Sequence, residues 1–233
     1  IWVTSGSNAS ISNAIIKNAT VGLLVQDNAQ TLNLYNVQLY NHTHFGISAQ
    51  KATIKGENIV TNKLGIASLN IIAGGDYEFN HCTFANFGTP GSTTCLIMNN
   101  GDGSSNQALV KANFYNSIFY GGTGSALSFS KNEKASFNYY FANNLIRFSE
   151  GGQSANNLLY PLTNTTNYEN NVLAKNLSVI PDFIDTNTNN MQIGEQSAAL
   201  RISNSLPNSG FDILGNVRPS VQADAGAYNH ATP

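Results

Sequence analysis

Apolar positions in this chain fall in short bursts divided by polar corners, and nowhere does a helical period persist for a useful length. A unit of the form Asn-x-x-apolar-x-Asn, usually followed by Gly and a second apolar run, returns along the sequence. It reads Asn13, Ile16, Asn18, then Gly22 with Leu23, Leu24 and Val25. It reads again as Asn36, Leu39, Asn41, then Gly46 with Ile47, and more weakly as Glu57, Val60, Asn62, then Gly65 with Ile66. His81, Phe84, Asn86 and Gly88 make the next copy. Degenerate copies follow at Asn116 with Phe119 and Gly121, at Asn143 with Ile146, and at Asn170 with Leu173.

The leading positions 13, 36, 57, 81, 116, 143 and 170 are separated by 23, 21, 24, 35, 27 and 27 residues. A period of about 22 residues is that of one coil of three short strands and three turns, the repeat of a solenoid. The pattern predicts an all-β chain, a single-stranded right-handed parallel β-helix of about seven coils over residues 1–180. An irregular C-terminal tail over 181–233 is expected to pack on the last coils. The longest interval places an inserted loop at about 87–107, where Gly, Ser, Asn and Pro cluster.

In such a stack each residue lies ~4.8 Å from its counterpart one coil away, so like residues form ladders. Inward-facing asparagines at the turns would satisfy backbone groups and one another, and Gly would supply positive φ at the tightest corner. Asn13, Asn36, Asn41, His81, Asn116 and Asn143 are therefore read as structural ladder residues rather than as ligand contacts.

Composition fits this picture. Of 233 residues, 35 are Asn and only 10% are charged, against roughly 25% in ordinary soluble domains. Twelve Phe and ten Tyr argue for an ordered core. The net charge of -2 gives no electrostatic case for nucleic acid, and no apolar run reaches the ~20 residues that span a bilayer. Cys82 and Cys95 lie in apolar stretches and read as buried thiols in preference to a disulfide.

Several segments are similar to the pectin-lyase-like superfamily of right-handed β-helices, in particular to secreted and surface proteins of Bacteroidetes. They are Ile1-Trp2-Val3, the run from Ile15 to Gly22, and the run from Gly74 to Phe84. The most specific are in the tail: Pro181-Asp182-Phe183, Ser197-Ala198-Ala199, Asp212 to Arg218, and Asp224 to Tyr228. The family's closing segment reads Pro-x-Phe, Ser-Pro-Ala, Asp-x-x-Gly-x-x-Arg and Asp-apolar-Gly-Ala-Tyr. This chain departs from it at Ala198 and Ala225. The resemblance covers essentially the whole chain. It implies an extracellular or cell-surface address, an outer-membrane lipoprotein among the forms, and further coils before Trp2.

The superfamily holds polysaccharide lyases and glycosidases, so the resemblance raises the chemistry of both. A lyase site needs carboxylates converging on Ca²⁺ with a Lys or Arg base on one exposed sheet, and a hydrolase needs closely placed Asp on adjacent coils. The seven Asp (27, 76, 102, 182, 185, 212 and 224) include no adjacent pair, and the Gly-His-Gly and Trp-x-Asp-His motifs are absent. His42 and His44, two apart, could share a strand face as binding residues, in a metal or acid–base role, though a solvated turn is the plainer reading. Glu57, with Lys55 and Lys63 near it, is explained by partial pairing. Asp212, Arg218 and Asp224 read as a clasp that pins the tail, with the Arg bonded to carboxylates. Among the aromatics from Tyr115 to Phe148, outward members such as Tyr115, Tyr120 and Tyr139 are candidates for stacking against sugar rings.

The expectation is a secreted or cell-surface module, monomeric, that binds a polysaccharide, a surface glycan or another surface partner, without cofactor or metal. The alternative is the C-terminal part of a polysaccharide lyase or glycoside hydrolase, which alone calls for Ca²⁺.

Overall fold

The computed structural model describes residues 1–88, 94–101, 107–149, 158–203 and 210–230. Among these residues there are eighteen strands and no helix, and all strands but the last two belong to one continuous parallel sheet. The sheet wraps into three faces. On the first face, Ser10, Asn33, Lys55, Glu78, Asn113 and Tyr140 are successive neighbours, one per coil. On the second, Ile16, Leu39, Thr61, Phe84, Phe119, Ile146 and Leu173 align in the same way. On the third, Val3, Val25, Ala49, Ile71, Met98 and Phe129 do so. The chain is thus an all-β parallel β-helix.

Because successive side chains on a strand point to opposite sides, alternate positions of all three faces meet inside. The inner column of the first face is Ile11, Leu34, Gly56, Phe79, Phe114, Phe141 and Tyr168. Its rings stack coil on coil, with centroids 5.7 Å apart for Phe79–Phe114, 4.8 Å for Phe114–Phe141 and 5.3 Å for Phe141–Tyr168. Each such pair contributes about 0.5–1.5 kcal/mol beyond the area it buries. Gly56 interrupts the column because a Cβ there would run into the Phe79 ring.

The corner between the first and second faces explains the asparagines. Asn13, Asn36, Asn58, His81, Asn116, Asn143 and Asn170 all have φ between 48° and 58°, the left-handed region that Asn tolerates better than most residues. The third copy is therefore centred on Asn58, one residue beyond Glu57, and the corner spacing becomes 23, 22, 23, 35, 27 and 27. Nor is the ladder uniformly inward, since Asn13 is exposed and Asn36 half-buried, while Asn116 and Asn143 are buried. The Asn36 amide donates to Asn13 Oδ1 and the Asn58 amide to Asn36 Oδ1, both at 3.0 Å. The Asn143 amide donates to Asn116 Oδ1 at 3.4 Å. A second corner repeats the device, with Asn18 at 62° and Asn41 at 58°, and the exposed Asn41 amide donating to Asn18 Oδ1.

Glycine does supply positive φ at Gly74 and Gly75, but the glycines of the repeat have a different task. Gly22, Gly46 and Gly65 are not among the positive-φ residues. A Cβ on Gly22 would come within 2.6 Å of the Gly46 carbonyl, one on Gly46 within 2.6 Å of the Ser68 carbonyl, and one on Gly65 into the Thr43 carbonyl. These glycines allow coils to approach, and the asparagines turn the corners.

Of the insertion expected at 87–107, residues 89–93 and 102–106 lie outside the described residues. The remainder does not simply project: Leu96–Asn99 is a strand of the third face, between Leu69–Ile71 and Leu127–Ser130. Leu96 and Met98 point into the core, which is why this stretch joins the stack. Cys82 and Cys95 are separate, fully buried thiols, and burial pushes both well above the usual thiol range.

The tail lies over the outer side of the second face. Its two strands, Phe183–Asp185 and Asn190–Ile193, form an antiparallel hairpin. Asn62 donates to the Thr186 carbonyl and to Asn189 Oδ1, and Lys63 donates to the Asn187 carbonyl. The Gly226 amide donates to the Asn116 carbonyl, and the Ala227 amide to Thr83 Oγ1. Ala225, Ala227 and Tyr228 pack on outward residues of the face such as Ile118, Val60 and Tyr40. No helix among the described residues is long and apolar enough to cross a membrane.

The corner account makes a graded expectation. Asn116→Ala puts an alanine at positive φ and removes a buried amide, costing about 2–4 kcal/mol. Asn116→Gly keeps the φ and should cost distinctly less by urea denaturation. Equal losses for the two would show that the left-handed corner is not what Asn116 provides.

Candidate ligand-binding face

With the second face covered, the first face presents its outer columns to solvent. One column runs Tyr35, Glu57, Asn80, Tyr115, each the residue immediately before a left-handed corner; Asn80 is the buried member, its Oδ1 accepting from the Asn116 amide at 2.9 Å. Beside it runs the column of Asn33, Lys55, Glu78, Asn113 and Tyr140, and beyond that Thr31, Thr53, Asp76 and Lys111. A groove of about 350 Å³ on this face is lined by Asn33, Tyr35, Lys55, Glu57, Glu78 and Asn80, with Leu34 and Gly56 at its floor.

The charges here are coupled. Lys111 Nζ lies 3.0 Å from Glu78 Oε2 and 3.4 Å from Asp76 Oδ1. Partial burial alone would lower the Lys111 ammonium, but the hydrogen bond and charge of Glu78, joined by Asp76, outweigh it and hold the group above the usual lysine value. At the far end, Asn113 Nδ2 donates to Tyr115 Oη at 2.9 Å. The Tyr115 and Tyr140 rings meet edge to face with centroids 6.0 Å apart. Tyr140 Oη donates to the Glu169 carboxylate, and burial together with that carboxylate pushes the Tyr140 phenol up to about 12.

Of the binding candidates put forward from sequence, only Tyr115 lies on this face, together with Glu57 and Lys55, which the sequence reads as partly paired. Tyr139 is in the core, its hydroxyl donating to the Leu159 carbonyl at 2.8 Å. Tyr120 is buried against Phe87, under the edge of the tail hairpin. His42 and His44 do not share a face, because the strand ends at His42 and the chain turns through Thr43. His42 is buried, with Nδ1 accepting from the Ala19 amide at 3.2 Å, whereas His44 is exposed beside Phe45. His81 is a buried corner residue.

The clasp residues come together, though not as carboxylate–guanidinium pairs. Arg218 Nη2 donates to Asn58 Oδ1 and to the Gly226 and Ala227 carbonyls, each at 3.0 Å. Asp212 accepts from the amides of Leu214, Asn216 and Asn229, and Asp224 from those of Arg201 and His230. Among the described residues no ion pair joins Arg218 to either Asp. Burial lowers the guanidinium to about 10, and the charges of Asp212, Asp224 and Glu57 act against that shift. The carboxylates hold the tail's own turns, and the arginine ties the tail to the Asn58 corner.

Tyr35, Glu78, Lys111 and Asn113 have no place among the candidates from sequence, and Asp76 and Tyr140 enter there only among the seven Asp and the aromatics of the stretch from Tyr115 to Phe148. Aligning the copies on their corners would have placed Tyr35, Glu57, Asn80 and Tyr115 in one column, and strand alternation would have put Glu78 and Asn113 beside them. Among the described residues no three His, Cys, Asp or Glu side chains gather as a metal site. Compared with family models, with curated proteins and with solved structures, the chain matches none.

His42 supplies a pH expectation. Burial lowers its pKa from the ordinary 6.5, so as pH falls the unfolded chain takes up the proton first. The stability this group contributes is full above the unfolded value and is lost as pH drops below it towards the folded value. The melting temperature should fall between about pH 7.5 and about pH 5 by more in the parent protein than in His42→Gln. Parallel pH profiles would contradict a neutral, buried His42.

Proposed function

We propose that this chain is a secreted or cell-surface β-helix module that binds glycan along its first face, acting as a monomer. The observation that carries the reading is the Tyr35–Glu57–Asn80–Tyr115 column with its neighbours. Half-buried tyrosines stand three coil steps apart, about 14 Å at the usual inter-strand spacing. Between them lie carboxylates, a lysine and amides. Sugars are bound by such surfaces because their C–H faces pack on aromatic rings and their hydroxyls take up fixed donors and acceptors. A glycan strand lying along the helix axis would meet a new row of side chains at each coil. The likeness of the tail and early coils to pectin-lyase-like surface proteins of Bacteroidetes supports the extracellular address, an outer-membrane lipoprotein included.

One observation favours a second reading, part of a polysaccharide lyase or glycoside hydrolase: Glu57, Asp76 and Glu78 share a face with Lys55 and Lys111 on adjacent coils. A lyase base needs a depressed pKa to take a proton at neutral pH. Lys111 is shifted in the opposite direction. Both Asp76 and Glu78 are also engaged by that lysine. Binding is thus the better-supported use of the face.

A glycan array followed by calorimetry tests this reading. Tyr115→Ala should weaken binding of any captured glycan by about tenfold, from the loss of roughly 1–1.5 kcal/mol of ring contact, with the circular dichroism unchanged. Undiminished binding by Tyr115→Ala and Tyr35→Ala variants would place the ligand elsewhere. Release of reducing ends or unsaturated uronates from any array hit would favour the enzyme.

A further inference from the structure

We infer that the first face selects glycan strands lacking carboxylate and sulfate groups and turns polyanionic ones away. This deepens the glycan-binding reading and rests on it. The argument is one of charge placement. Glu57, Asp76, Glu78 and Glu169 lie on or beside the outer columns, against Lys55 and Lys111, four negative groups to two positive. Lys111 is not available to a ligand's carboxylate, because Glu78 and Asp76 already share it at 3.0 and 3.4 Å.

Lys55, the one other cation on these columns, sits in register with Glu78 and two residues from Glu57 along its strand. The buried Arg218 near Glu57 is itself accompanied by Asp212 and Asp224. Among the described residues no bidentate guanidinium fork, the usual device for seizing carboxylate or sulfate, is presented along the columns. What the face offers in quantity is acceptors for hydroxyl donors: the Glu57, Asp76 and Glu78 carboxylates and the Asn33 and Asn113 amides. Tyr35, Tyr115 and Tyr140 add ring faces for uncharged C–H surfaces. A polyuronate laid here would bring its own carboxylates against an excess of like charge.

The test is affinity electrophoresis and calorimetry on the intact chain. Neutral polymers (glucan, mannan, xylan) are compared with polygalacturonate, alginate and chondroitin sulfate at about 50 mM and about 500 mM NaCl. The parent protein should bind at least one neutral polymer, with an affinity that changes less than about twofold between the two salts, and none of the polyanions. The combined variant E57Q/D76N/E78Q moves the face from a surplus of two negative charges to one positive, and should acquire polyuronate retention at low salt that is lost at high salt. Tighter binding of polyuronate than of neutral polymers by the parent protein, weakening with salt, would overturn the inference while leaving glycan binding intact. No gain of polyuronate retention by a folded triple variant would also overturn it. Binding of neither class would overturn the glycan reading itself.

Discussion

Everything in this molecule depends on one coil repeating the path of the coil before it. The constraint that enforces the repetition is the left-handed corner between the first and second faces. At each coil the chain passes through a residue with φ near 50° at this corner and so leaves the first face along the same path. That residue's backbone amide then finds the carbonyl of the next coil: Asn58 to Asn80, His81 to Tyr115, Asn116 to Ala142 and Asn143 to Glu169, at 3.0–3.2 Å. Asparagine suits this position because its short amide tolerates the conformation and can also bond its counterpart one coil away. Once the corners are in register, so are the strands, and the inner rings of Phe79, Phe114, Phe141 and Tyr168 stack without further instruction.

The same register decides where function can sit. The tail lies across the second face, held by Asn62, Lys63, Thr83 and the Arg218–Asn58 contact. That burial uses the face for stability. The first face stays open, and the strict repeat sets its outer side chains in columns along the axis. Residues far apart in sequence, such as Tyr35 and Tyr115, thereby become members of one row. A surface of this kind suits an extended ligand better than a compact one, and its width is set by strand length.

The fold was legible in the sequence because the repeat is a packing requirement written at every coil. The period, the asparagines and the interspersed glycines all follow from stacking, although the third corner falls at Asn58 and not at Glu57, and Gly22, Gly46 and Gly65 do not carry positive φ. Spacing alone cannot tell a glycine that bends the chain from one that admits a neighbouring carbonyl. The open face was much harder to read. Whether Tyr120 or Tyr139 points out depends on where each strand begins relative to its corner, and a shift of one residue exchanges inside for outside. His42 and His44 show the same limit: two residues apart reads as one face only if no turn falls between them. The clasp was found through its unusual charges, yet its bonding was not, because partners such as Asn58 lie more than a hundred residues away in the chain.

Hydrogen exchange measured residue by residue tests the corner constraint most directly. The amides of Asn58, His81, Asn116 and Asn143 sit at turns, where exchange is ordinarily fast, yet each is bonded to the coil above. The account predicts protection for these four comparable to that of strand-interior amides such as Leu39 and Phe114, all opening together. Exchange at these corners as fast as in the exposed turn around Lys134 would contradict it, and the stack would then need another explanation.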